Sequence, residues 1–201
     1  MPLSDAQIEL YSTLIGAGLV VLLILFFIIS RYRKNSDVRK ISKKISSLGI
    51  ASIKDIAIPD EIDGFITIDY CILTPNGVLA IILQNYAGNL FGGDTIDSWT
   101  QIYQHKSFKF DNPLRHRQKC ITALNEYLPG APISAQIVFA DIGVFPKGKP
   151  SHVSLLSDLE GDLNSFFSGN EPSEVIKVSW RKLEALKWSA SKEGRNAVIN
   201  T

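Results

Sequence analysis

The sequence predicts an α/β domain preceded by one transmembrane helix, and three observations carry that prediction. An uncharged run of about twenty residues, Tyr11 to Ser30, lies close to the N-terminus. A uniformly apolar stretch, Val78 to Leu83, follows a Thr74-Pro75-Asn76-Gly77 turn. Downstream, apolar residues recur at helical spacing in some segments and run continuously or alternate in others, the mixture expected where helices cover a sheet.

The N-terminal run contains Leu14 through Ile29 with no charged residue. At about 1.5 Å per residue, a helix of that length spans a hydrocarbon core of about 30 Å. The leader, residues 1–10, is acidic through Asp5 and Glu9, and the apolar run ends in Ser30-Arg31-Tyr32-Arg33-Lys34. A cleaved signal peptide wants the reverse order of charge and small residues at a cleavage site. Residues 11–30 therefore read as an uncleaved signal anchor. Residues 31–44 hold seven Lys or Arg against Asp37. Basic residues flank the cytoplasmic side of a span, which gives a single-pass topology with residues 1–10 outside and the domain in the cytoplasm. The lipid bilayer is accordingly the first expected partner.

The remaining chain divides into a domain over 37–145, a helical extension over 146–190 and a polar tail over 191–201. Val38 to Leu48 reads as a helix striped by Ile41, Ile45 and Leu48, and Pro59 and Gly64 bracket a loop. Phe65 to Leu73 reads as a strand. Pro75 presets φ, and Asn76-Gly77 tolerates positive φ, so the chain turns there. Val78 to Leu83 is apolar enough for a central strand buried on both faces. Trp99 to Tyr103 and Ser107 to Phe110 supply third-strand material. Asp111-Asn112-Pro113 caps and starts a helix, with Leu114, Ile121, Leu124 and Leu128 as its buried stripe. Arg115, His116, Arg117 and Lys119 read most simply as its solvated face, and otherwise as a local phosphate patch. Ile133 to Phe139 is another buried strand. Beyond it, Leu155 to Phe167 looks helical, as does Ser179 to Ser189, whose Trp180 and Trp188 are expected to pack on the core. The resulting order is helix, three-strand meander, helix, strand.

Several short runs carry a more specific signal in their order and spacing: Ile68-Asp69-Tyr70, the Pro75-Asn76-Gly77 turn, Gly77 through Tyr86, Gly88 through Gly92, Trp99-Thr100-Gln101 and Asn112-Pro113-Leu114-Arg115. Together they resemble the nuclease-related domain, NERD, a branch of the restriction-endonuclease-like PD-(D/E)xK superfamily. The resemblance spans roughly Asp37 to Asp141 and implies a restriction-endonuclease-like core. In that family an Asp on the first hairpin strand is joined by a Glu-x-Lys on the returning strand. Laid residue by residue, Asp69 keeps the acid, the Glu falls on Ile82 and the Lys on Gln84. His116 stands where the family normally has Gln.

The chemistry gives these departures their meaning. Such a nuclease holds Mg²⁺ on hard oxygen ligands from two carboxylates, and the metal activates water while neutralising charge on the phosphate. Residues two apart on a strand share a face, so Ile82 and Gln84 still converge. An isoleucine offers no ligand, and a neutral glutamine brings no cation to a developing negative charge. The expectation is a nuclease-like fold whose hydrolytic site has been lost, with no Mg²⁺ cofactor. Asp69 is then a carboxylate hydrogen-bonded to backbone or to Gln84. The alternative is a divergent metal-dependent DNA nuclease whose site has migrated, with Glu61, Asp63, Asp94 or Asp97 as substitute ligand; spacing favours none of these four.

Charge bears on the partner. The whole chain carries +1; residues 1–30 contribute −2 and residues 31–44 contribute +6, which leaves −3 for the rest. A general duplex binder draws affinity from Lys and Arg on phosphates, so nucleic acid is not a favoured partner of this mildly acidic domain. Cys71 and Cys120 read as free buried thiols. His105, His116 and His152 show no metal-ligand spacing with one another or with cysteine. The functional expectation is a membrane-anchored binding or scaffold module with an unknown protein partner, or else a subunit of a membrane complex.

Overall fold

The computed structural model describes residues 20–26, 39–59 and 64–199, with side chains as far as Leu186. It separates into two compact units, Met1–Lys44 and Ile45–Thr201. Residues 20–26 are helical with exposed apolar side chains, and residues 39–46 are also helical. Most of the predicted span lies outside the described residues. Among those described, no helix is long and apolar enough to cross a membrane. The expected helix over 38–48 is seen over 39–46.

The second unit is built on two sheets. The larger is ordered β1-β2-β3-β7-β9, from β1 (Ala51–Pro59), β2 (Phe65–Thr74), β3 (Gly77–Gln84), β7 (Ile133–Phe139) and β9 (Val153–Leu155). The smaller is ordered β6-β5-β4-β8, from β4 (Gly88–Phe91), β5 (Ser98–Tyr103), β6 (Lys106–Asp111) and β8 (Gly143–Val144). This mixed α/β arrangement fits a nuclease-like core.

The hairpin stands where the turn chemistry placed it. Thr74 pairs with Gly77, the Thr74 hydroxyl donates to the Gly77 carbonyl at 2.9 Å, and Gly77 takes φ +149°. A Cβ at Gly77 would sit 2.2 Å from the Pro132 carbonyl oxygen, so the turn needs glycine for space as well as for φ. β3 is buried on both faces, as its unbroken apolar run requires. Val78, Ala80 and Ile82 join the main apolar cluster, while Leu79 and Ile81 are fully buried outside it.

Helix α1 (Pro113–Tyr127) begins as the Asn-Pro pair predicts: the Asn112 side chain accepts from the Leu114 amide, and Pro113 occupies the first turn. The helix packs across β1, β2, β3 and β7, and Leu124 and Leu128 are buried on the cluster with Leu114 and Ile121 at its margin. Its basic residues are not simply a solvated face. Arg115 pairs with Asp97, and half-buried Arg117 donates from Nε to the Ala135 carbonyl at 2.7 Å.

Three expectations are corrected. The third strand of the central meander is β1, which lies on the far side of β2 from β3; residues 98–111 instead form the β5–β6 hairpin of the smaller sheet. β1 was missed because Lys54 and Asp55 interrupt its alternation, with Asp55 at φ +52°. Pro59 closes β1 and Gly64 precedes β2, the two positions expected to bracket a connection. Residues 155–167 are not one helix: β9 ends at Leu155, and two single turns follow, α2 (Leu159–Asp162) and α3 (Asn164–Phe167). The last helix, α4 (Glu174–Ile199), starts earlier than its aromatic stripe suggested, and Trp180 is buried on the core as expected; the Trp188 side chain lies outside the described residues.

Candidate functional site

β1 and β2 keep one register throughout, with Lys54 opposite Tyr70 and Ile56 opposite Ile68, and the pairing skips Asp55 and Asp69 between them. The residues that reach the apolar cluster change parity at this point: Ile66 and Ile68 before it, Cys71 and Leu73 after it on β2, with Ile53 and then Ile56 and Ile58 on β1. Positive φ at Asp55 supplies the local twist. The ladder between β2 and β3 begins at the Tyr70–Ile81 pair, so the two strands part beyond it.

Asp69 stands at this divergence, half-buried, and its Oδ2 accepts from the Leu83 amide at 2.8 Å. A backbone donor left without a strand partner is thereby satisfied by a charged acceptor. The partner is backbone, one of the two anticipated; no bond from Asp69 to Gln84 is seen among the described residues. Ile82 is 3% exposed and belongs to the apolar cluster together with Cys71, Cys120 and Ile137. Gln84 is half-buried at the end of β3, its backbone carbonyl accepting from the Ala140 amide at 3.0 Å. His116 reaches the site from α1, its Nε2 lying 3.2 Å from the Thr67 carbonyl oxygen.

The sequence reading missed what lies beside Asp69. His116 and Cys120 are four apart on one face of α1, and Cys120 Sγ is 3.6 Å from His116 Nε2. The interval of four was the signal for this contact, since a helix makes neighbours of such residues. Both cysteines are free and buried, as expected. Burial pushes the Cys71 thiol up to about 12, with the Cys120 sulfur as a further cause. Burial pushes Cys120 to about 12 as well, with the Asp69 carboxylate adding to it. Neutral thiols of this kind are poor nucleophiles and poor ligands.

Of the four substitute acids, the two that are described are engaged elsewhere. Asp94 accepts from the amide and the hydroxyl of Ser151 at 3.0 and 2.9 Å, tying the loop before β9 to the smaller sheet. Asp97 is paired with Arg115. Glu61 and Asp63 lie outside the described residues. Among the described residues, no three His, Cys, Asp or Glu side chains converge as a metal-holding group.

A mixed sheet crossed by a capped helix, with an acid where the first hairpin strands part, defines a domain of the nuclease-like class. A model of the nuclease-related domain family matches residues 32–145, more than half of the chain, and the chain belongs to that family. Placement in the PD-(D/E)xK superfamily is consistent with this membership. The chain is also similar to an uncharacterized protein of Bacillus anthracis, at 24% identity over 139 residues. That match covers 64% of this chain and 63% of the relative, so the chain spans less than two thirds of the relative's length.

Proposed function

We propose that this protein is a membrane-anchored binding module that keeps the nuclease-related fold and has lost metal-dependent hydrolysis. One observation carries the reading: the position that should bring the second carboxylate is Ile82, which is sealed into the apolar cluster at 3% exposure. The surviving acid is committed as well, since Asp69 accepts the Leu83 amide. A lone carboxylate beside an isoleucine leaves a hard dication without the ligand set it requires. The anchor rests on the uncharged run 11–30 and the basic segment 31–44, which orient the domain to the cytoplasm.

The test uses the full chain in detergent with supercoiled plasmid and single-stranded DNA, in Mg²⁺ and in Mn²⁺. No cleavage is expected in either metal. Metal-dependent cleavage abolished by Asp69→Ala would overturn the reading in favour of a relocated site. The double substitution Ile82→Glu with Gln84→Lys reinstates the family's pair. It is expected to create Mn²⁺ or Mg²⁺ binding detectable by calorimetry, on a protein destabilised by the buried carboxylate and partly restored by the ion.

A further inference from the structure

The β5–β6 hairpin is built unlike the rest of the domain. Tyr103 pairs with Lys106, so the connection is the two residues Gln104 and His105, at φ +49° and +61°. A two-residue turn with both residues at positive φ matches the strand twist and gives a stiff, compact tip. At its base the hairpin is locked into the core: Trp99 is fully buried, its ring stacked on Phe139 at 6.1 Å, and its partner Phe110 stacks on Tyr86 at 4.1 Å.

Towards the tip the packing stops and large apolar side chains continue. Ile102 is 40% exposed, Tyr103 42% and Phe108 48%. They do not share one face. Cross-strand partners point the same way and neighbours along a strand point oppositely, so Tyr103 and Phe108 lie on one face with Lys106, and Ile102 lies on the other with Ser107 and Lys109. Each face of the hairpin's outer half thus carries an exposed apolar side chain beside a lysine, which suits insertion tip-first better than docking against one flat protein face.

Charge selects what the tip enters. From Ser98 to Phe110 the chain has Lys106, Lys109 and His105 and no carboxylate. Neither lysine has an ion pair among the described residues. The flanking acids are at the base: Asp97, paired with Arg115, and Asp111, which is six residues from His105 and about 20 Å away along an extended strand. In a unit of net negative charge, this is a local cationic finger.

We propose that the β5–β6 hairpin seats Ile102, Tyr103 and Phe108 at the surface of an anionic lipid leaflet, with Lys106 and Lys109 on the headgroup phosphates. The proposal rests on the membrane-anchored reading above. Aromatic and aliphatic side chains beside lysine are the composition of the membrane interface, and cations within a Debye length of an anionic leaflet are drawn to it. Two lysines make a weak site for a nucleic acid, whose binding depends on many phosphate contacts, and Ile102 offers no base a stacking surface. For a tethered domain two lysines suffice, because the anchor supplies a high effective lipid concentration.

The test reconstitutes the full chain carrying Tyr103→Cys, labelled with an environment-sensitive fluorophore, into nanodiscs of phosphatidylcholine alone or with a minority of phosphatidylglycerol. Buried Cys71 and Cys120, with their raised pKa values, should leave the unsubstituted chain unlabelled. The expected result is a blue shift of the emission in the anionic discs, reversed by high salt and by Lys106→Glu with Lys109→Glu, with a label at exposed Glu126→Cys unshifted. Water-like emission in both discs overturns the proposal, as does a shift produced instead by single-stranded DNA and lost with the same lysines. If the chain does not enter the discs, the anchor reading fails separately. The labelled chain is then floated with vesicles of the two compositions: lysine-dependent flotation supports the hairpin proposal, and its absence ends it.

Discussion

Asp69 changes its meaning between the sequence and the structure. On the strand it is the residue that a metal-dependent nuclease would keep, yet its Oδ2 satisfies the Leu83 amide at the point where β2 leaves β3. Leaving a buried backbone donor unpaired costs about 1–3 kcal/mol. Asp69→Ala is therefore expected to lower the unfolding free energy read from urea denaturation by an amount in that range, whereas Asp69→Asn, whose side-chain oxygen still accepts, loses much less. Equal losses for the two variants would mean that the charge, and not the hydrogen bond, is what the fold uses. The side-chain type was legible from the hairpin motif. Its partner was not, because the donor lies fourteen residues away on a different strand and becomes available only through the parting of the ladder.

Among the elements, α1 was the best specified in advance. Asn112 accepts from the Leu114 amide at 2.9 Å, and its Nδ2 donates to the Ile96 carbonyl at 2.8 Å, so one side chain both caps the helix and closes the loop before β5. Asn112→Ala should cost about 1–2 kcal/mol for the cap alone and more with the loop contact, read from chemical denaturation. Asn112→Asp keeps the cap acceptor and loses the donor, so it should fall between the two. β1 and β5–β6 were harder to place, for a physical reason. Strand character is local, but the choice of neighbour is not. Residues 98–111 read correctly as strands and pair with each other, while the β2–β3 hairpin gains its third strand, beside β2, from a segment whose alternation Asp55 disguises.

At the scale of the whole molecule, two buried thiols link stability to pH. Cys71 and Cys120 have pKa values raised from 9.0 to about 12 in the folded chain. The folded state therefore holds its protons where the unfolded state has begun to release them, so unfolding gains a driving force as pH rises. This contribution is fully present below pH 9.0 and declines progressively as pH rises from 9.0 towards 12. Urea midpoints measured across that range should fall more steeply for the native chain than for Cys71→Ala with Cys120→Ala, after each is referred to its own value at neutral pH. Identical slopes would show that the thiols do not carry the alkaline loss.

Local chemistry by itself determined much of this protein: the turn at Pro75-Asn76-Gly77, the two-faced burial of β3, the capped start of α1, the free thiols and, through ordered short motifs, membership of the nuclease-related domain family. Each depends on residues close in the chain, whose φ preferences, capping groups and apolar runs act over a few positions. Tertiary structure alone decided that Asp69 holds the Leu83 amide and that His116 and Cys120 sit together beside it. Those outcomes depend on which strand lies next to which and on where a ladder ends. Long-range packing sets both, and no short window of sequence encodes them.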